Sequence, residues 1–297
     1  MTTVAPPRGR VSAAPAAPLR EHRGPRTTAK VLTLTAVMAI GAAVVVAPLY
    51  WMVIASTHTS AEIFSSPPVL LPGDAFWENL RSLVVDRGFG RAVANSFLIA
   101  AVYTVVAGFV CTLAGYAFAK FEFRGKGIAF GLIMATLVIP AQVTLVPLFQ
   151  IMLWFGWLDT YQAILLPNLA FPFGIFLMRQ TMLAVPDELL AAGRIDGCGE
   201  VRLLFGIVLP TMRPAVAALA IYLFLAQWND FVWPLIALRS PDSYTVPVAL
   251  AALKGIGTTD YGQLLAGTTV SIVPAAIVFL LLQRHFVAGI LSGAVKE

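Results

Sequence analysis

Six apolar runs separated by polar connections dominate this sequence: Val31–Ile54, Ala92–Phe118, Ile128–Leu153, Ala163–Met178, Pro214–Leu238 and Leu264–Leu282. A helix needs about 20 predominantly apolar residues to cross a hydrocarbon layer about 30 Å thick, and these runs reach or approach that length. The 297 residues are 59% hydrophobic and only 12% charged, where a soluble domain has about 45–50% and about 25%. Such a chain cannot hide its apolar surface from water, so its solvent is lipid. The expected fold class is an all-α membrane protein with six transmembrane helices. Pro167 and Pro172 interrupt the fourth run. Neighbouring helices or Ser/Thr side chains can satisfy the backbone groups that prolines free, so one kinked span is expected there.

Lys and Arg, rather than net charge, orient the spans. With six spans the termini share a side. That side receives Arg8, Arg10, Arg20, Arg23, Arg26 and Lys30, then Lys120, Arg124 and Lys126, then Arg179, Arg194, Arg202 and Arg213, and finally Arg284 and Lys296. The other side holds only Arg81, Arg87, Arg91, Arg239 and Lys254. Both termini are therefore expected in the cytoplasm, and the net charge of +5 needs no nucleic acid to explain it. Residues 1–30, rich in Pro, Ala and Arg, read as a disordered cytoplasmic tail. The apolar run after them is too long for a signal-peptide core and is expected to remain as the first span. The topology separates Cys111 from Cys198, so no disulfide is expected.

Several features carry a bland reading beside a functional one. The loop from Ser56 to Gly90 reads as an extended segment leading to a short surface helix, with Phe76 and Trp77 as interfacial anchors. Gly125-Lys126 fails as a phosphate loop, because no glycine stands five residues before Gly125 and Gly127 replaces the needed Ser/Thr. Gly127 and Gly131 have the spacing of close helix packing within a bundle. In the fifth run, Gln227, Asn229 and Asp230 are costly groups in hydrocarbon. They either line a translocation path or form an interfacial helix terminus. The loop from Arg239 to Gln263, with Gly255, Gly257 and Gly262, is either mobile and partner-seeking or a plain connector. His22, His58 and His285 lie far apart and no catalytic motif occurs, so neither a catalytic site nor a metal site is expected.

The polar stretch from Pro186 to Pro210 is the chain's most distinctive connection. Pro186 suits the first position of a helix, and Asp187 and Glu188 place negative charge at its positive end. Leu189, Leu190, Ala192 and Ile195 form an apolar stripe, and Gly197 can close the helix in a left-handed cap. A second short helix carries Val201, Leu204, Phe205 and Val208 until Pro210 breaks it. A helix lying on lipid would be rich in Lys and Arg along its polar face. Here Asp187, Glu188, Asp196 and Glu200 balance Arg194 and Arg202, which favours docking to a protein.

This segment resembles the signature loop of ABC importer permeases: Glu-Ala-Ala, three residues, Gly, nine residues, Ile-x-Leu-Pro. Gly197, Ile207, Leu209 and Pro210 stand at the matching spacing. The resemblance extends to Gln227-Trp228-Asn229-Asp230-Phe231, Trp233-Pro234-Leu235, Thr245-Val246-Pro247, Gln283-Arg284-His285-Phe286-Val287 and Gly293-Ala294-Val295-Lys296, the pattern of the carbohydrate branch and its maltose-type second permease. It departs at the triplet, which is Ala191-Ala192-Gly193, so the signature's Glu is missing; Glu188 lies one turn earlier as an electrostatic substitute.

The resemblance implies a transmembrane domain over residues 31–297, with a core at 90–285 and a cytoplasmic coupling helix in the loop 186–210 between the fourth and fifth spans. It implies a multi-pass protein of a prokaryotic cell membrane that takes up a sugar or related solute. The implied partners are an ABC ATPase dimer, which holds the ATP and Mg while this chain carries no cofactor, a second homologous permease and an extracytoplasmic solute-binding protein. Glu188, Ala191, Ala192, Gly193, Arg194, Asp196, Gly197 and Pro210 would couple to the ATPase, with Gln227, Asn229 and Asp230 along the path. The alternative is a self-sufficient carrier or channel, which needs ionisable groups inside the membrane; Asp230 is the one good candidate, and no inverted repeat is evident.

Overall fold

The computed structural model describes residues 25–254 and 259–294, with backbone alone at 25–29 and 284–294. The chain divides into two compact units between Tyr50 and Trp51. The first is the body of helix α1 (Pro25–Ala55), whose 31 residues reach about 46 Å at 1.5 Å per residue. Helix α1 takes in the last six residues of the expected disordered tail, with Pro25 at its start, where a missing N–H costs nothing. Residues 1–24 lie outside the described residues.

In the second unit the order is α2 (Ser60–Ile63), α3 (Phe76–Arg87), α4 (Phe89–Lys120), α5 (Lys126–Thr136), α6 (Ala141–Trp154), α7 (Tyr161–Leu165) and α8 (Pro172–Leu183). Then come α9 (Asp187–Ile195), α10 (Glu200–Leu203), α11 (Leu209–Thr211), α12 (Arg213–Trp228), α13 (Val232–Ala237), α14 (Val246–Ala252) and α15 (Tyr261–Ala294). Among the described residues there is no strand. Helix α4 is central and packs against α8 and α12. Gly115 permits the closest approach: a Cβ there would stand 2.6 Å from the Cβ of Met178 on α8, the small-residue crossing that lipid-embedded helices use. One apolar core runs from Tyr103, Ala107 and Cys111 of α4 through Ile175 and Met178 of α8 and Leu219 and Leu223 of α12 to Leu190 and Leu203 of α9 and α10.

Three helices are long and apolar enough to cross a membrane, at Lys30–Ala55, Phe89–Lys120 and Tyr261–Gln283, and three bent pairs bring the candidates to six. The fourth run is kinked as expected, by 43° between Tyr161–Asn168 and Pro172–Leu183. The third is not the continuous helix expected at Ile128–Leu153. It turns by 99° between α5 and α6, where Pro140 caps α6 in an extended conformation. The fifth also differs from the expected Pro214–Leu238: α12 stops at Trp228, and α13 starts afresh at Val232.

The remaining connections refine the expectations. The surface helix is present as α3, where Trp77 is exposed and Asn79 is buried, donating to the carbonyls of Ser56 and His58. Neither Gly127 nor Gly131 packs against anything: a Cβ at either would meet no atom within 4 Å. They therefore do not serve close helix packing among the described residues. Gly262 belongs to no mobile loop. It lies in the first turn of α15, so close to Asn79 that a Cβ would come within 2.8 Å of the amide side chain. Gly255 and Gly257 lie outside the described residues, as do the side chains from Arg284 onward.

Candidate functional site

Helix α9 is built as a separate piece clipped under the bundle. Pro186 stands at its N-cap rather than at the first helical position, and Asp187 opens the helix. At the other end Gly197 takes φ 79°. The Cys198 amide donates to the Gly193 carbonyl at 2.9 Å and the Gly197 amide to that of Arg194 at 3.1 Å, the paired bonds of a Schellman cap. The helix has two apolar faces rather than one stripe. Leu190 and Gly193 are buried against the core, while Leu189, Ala192 and Ile195 are exposed along with Ala191, Glu188 and Arg194. Ile195 is 87% exposed and Val201, on α10, 73%.

Gly193 has a packing role that its place in the signature triplet does not reveal. A Cβ there would lie 2.5 Å from Cδ2 of the buried Leu203 and 3.2 Å from Cδ1 of Ile207, so α10 and the segment after it sit directly on this position. From Leu204 to Val208 the backbone forms a π-turn. Pro210 does not break the run: it lies inside α11, and the break follows at Met212, where the chain bends by 89° into α12.

Two polar ties join this loop to α4. The Lys120 ammonium donates to the Val185 carbonyl and to Oδ1 of Asp187, each at 2.6 Å. The Tyr116 hydroxyl donates to Oε2 of Glu200 at 2.8 Å, and Arg194 Nε donates to Oε1 of the same carboxylate at 2.8 Å. The Lys120 contact holds the Asp187 carboxyl below its ordinary range, and Arg194 followed by Tyr116 does the same for Glu200. Asp196 makes no ion pair among the described residues; its backbone forms the C-cap of α9.

Gln227 lies in the last turn of α12, while Asn229 and Asp230 lie in the break between α12 and α13 rather than inside one continuous helix. The Gln227 side chain is buried with Nε2 lacking a partner among the described residues. Asn229 Nδ2 donates to the Leu225 carbonyl at 2.8 Å, closing the end of α12. Asp230 is half-buried.

The Phe89 end of α4 carries a polar cluster with no warning in the sequence. Asp159, at φ 62°, accepts from the amides of Arg239 and Ser240 at 2.9 and 3.0 Å and from the hydroxyls of Ser240 and Ser243. Asn95 donates to the carbonyls of Asp242 and Tyr244 and accepts from the Tyr161 hydroxyl. Tyr116 was equally unmarked, since its partner Glu200 is 84 residues away.

The family model for the binding-protein-dependent transport system inner membrane component matches residues 108–292. The chain is 37% identical over 276 residues to the arabinooligosaccharides transport system permease protein AraQ of Halalkalibacterium halodurans, covering 91% of this chain and 99% of that protein. It is 35% identical to the lactose transport system permease protein LacG of Rhizobium radiobacter, over 88% of this chain and 94% of that one. It is 33% identical to the sn-glycerol-3-phosphate transport system permease protein UgpE of Pectobacterium atrosepticum, over 85% and 93%. A bacterial ABC transporter involved in the import of the acidic polysaccharide alginate has the same fold, with TM-score 0.76 at 23% identity over 89% of this chain and 98% of that one. With the helical bundle and bent spans described above, these matches make the chain a member of the family of binding-protein-dependent transport system inner membrane components, a membrane-embedded permease subunit.

Proposed function

We propose that this permease takes up a carbohydrate or a polyol-derived solute, delivered by a binding protein at the Phe89 end of α4, and that α9 seats in a separate ABC ATPase at the Lys120 end. The observation that carries the reading is α9 itself: a short helix, closed at its C-terminus by the Gly197 cap, held to the bundle by one apolar face and presenting Leu189, Ala192 and Ile195 on another. A folded helix with an uncovered apolar face suits insertion into a groove of another protein. The relatives named for arabino-oligosaccharides, lactose and sn-glycerol 3-phosphate support a hydroxyl-rich solute. The excess of Lys and Arg at the α9 end supports placing that end, with both termini, in the cytoplasm of a prokaryote. A second, homologous permease completes the pathway, and ATP and Mg reside on the ATPase.

In this reading Glu188, Ala191, Ala192 and Arg194 face the ATPase, while Gly193, Asp196, Gly197 and Pro210 shape the loop. Gln227, Asn229 and Asp230 form a polar break at the path. The test is mild-detergent purification of the tagged chain followed by uptake in proteoliposomes with arabinotriose, lactose and glycerol 3-phosphate as probes. Co-purification of an ATPase and a second permease, with vanadate-sensitive uptake of one probe, is expected. Vanadate-resistant uptake by the chain alone would overturn the reading.

A further inference from the structure

We propose that the C-terminal turn of α4 and the α9–α10 loop move as one rigid body in the transport cycle, tied at one end by Lys120 to Asp187 and at the other by Tyr116 through Glu200 to Arg194. The proposal rests on reading α9 as the ATPase contact and adds which span receives its motion. Covalent connection alone points elsewhere, to α8 before the loop and α12 after it. Yet the route to α12 passes through a π-turn at Leu204–Val208 and an 89° bend at Met212, and a path with such breaks is a poor rod. Helix α4 has neither. Its 32 residues reach about 48 Å, well over the about 30 Å of a hydrocarbon core, so its last turns can stand beyond the lipid where α9 lies.

Tyr116 and Lys120 are four residues apart and therefore share one face of α4. That face reaches both ends of α9, because Asp187 is its first residue and Arg194 its penultimate one. The Lys120 side chain is only 4% exposed and its ammonium is held by Val185 and Asp187. Pulling α9 away would strand a buried charge, which is strongly unfavourable. Tyr116 is buried edge-on against Phe121, with its hydroxyl on Glu200. Between the two ties Leu190 and Leu203 belong to the same core as Tyr116 and Phe118. Arg179 of α8 donates to the Phe118 carbonyl at 3.3 Å and lies 4.3 Å over the Phe130 ring, so α5 and α8 brace the same turn.

The test uses the intact transporter purified with its ATPase, with Cys111 and Cys198 replaced by alanine. Spin labels at Leu113→Cys on α4 and Arg202→Cys on α10 report the tied pair. Labels at Arg202→Cys and Ala226→Cys report the loop against α12. Distances are compared in the nucleotide-free complex and after trapping with Mg, ADP and vanadate. The 202–226 distance is expected to shift by about 2 Å or more, while the 113–202 distance holds. In the Tyr116→Phe/Lys120→Met variant the 113–202 distance is expected to shift on trapping as well. Tyr116→Phe alone, which removes one hydroxyl, should broaden that distribution if the double variant fails to assemble. A 113–202 shift as large as the 202–226 shift with the ties intact overturns the proposal, as does a 113–202 distance indifferent to cutting them. If vanadate stops ATP hydrolysis and neither pair moves, it is the reading of α9 as the ATPase contact that fails.

Discussion

Gly197 and Gly193 sit four residues apart and are glycine for different reasons. At Gly197 the backbone is left-handed and a Cβ would meet nothing within 4 Å. The penalty for a side chain there is conformational, about 1–2 kcal/mol for alanine and less for asparagine, which tolerates that region. Gly197→Ala and Gly197→Trp are expected to lower uptake while the chain still inserts at normal levels, with Gly197→Asn closest to the parent; uptake normalised to membrane-inserted protein reads this. At Gly193 the backbone is helical, and alanine would gain about 1 kcal/mol of helix propensity. Its Cβ would strike the buried Leu203, and overpacking costs about 1–3 kcal/mol. Gly193→Ala is therefore expected to be net destabilising, and Gly193→Ala/Leu203→Val to recover part of the loss, measured as the thermal midpoint of the purified complex.

Elements with a local chemical cause were legible in the sequence, and those with a distant cause were not. Gly197 marks the end of α9 because a left-handed cap demands that residue type. The kink in the fourth span was legible from Pro167 and Pro172. The 99° turn in the third span had one local mark, Pro140 at the N-cap of α6, but hydropathy did not show it, because Leu137, Val138 and Ile139 are as apolar as the helices beside them. Asp159 was hidden for another reason: its partners arrive from residues about 80 positions away. Burial pushes the Asp159 carboxyl up, but the hydrogen bonds from Ser240, Ser243 and the two amides more than offset this and hold it well below the usual carboxylate range. A depressed folded-state pKa contributes stability above the unfolded value, about 3.9 for Asp, and loses it as pH falls toward the folded one. The stability gap between the parent and Asp159→Asn is expected to stay constant above about pH 5 and to close as pH falls below about 4. A gap unchanged on acidification would place the effect in shape rather than charge. Asp159→Ala, which removes every acceptor oxygen, should free the 239–244 loop to proteolysis.

At the scale of the whole molecule, the bundle shields its core from lipid but leaves one apolar helix face uncovered at the α9 end. Scattered exposed apolar residues are ordinary on a span, where lipid covers them, whereas α9 is a short helix with charged residues on the same surface. Ile195 is 87% exposed and Leu189 39%, about 1.7 turns apart along α9, with the exposed Ala192 between them. Fully burying an isoleucine is worth about 2 kcal/mol, so truncating it in a seated complex should weaken association by about 30-fold. Ile195→Ala is expected to reduce the ATPase recovered with the tagged chain, and Ile195→Asp to abolish recovery by placing an unpaired charge in the groove. Neither disturbs the core, since the side chain is almost wholly exposed, so insertion and recovery of the second permease should persist. Quantitative co-purification from membranes separates the outcomes: loss of the ATPase alone assigns the face to it, and loss of the second permease alone assigns the face there. Unchanged recovery of both would leave the charged residues Glu188 and Arg194 to carry the contact, which charge reversal at each would then expose.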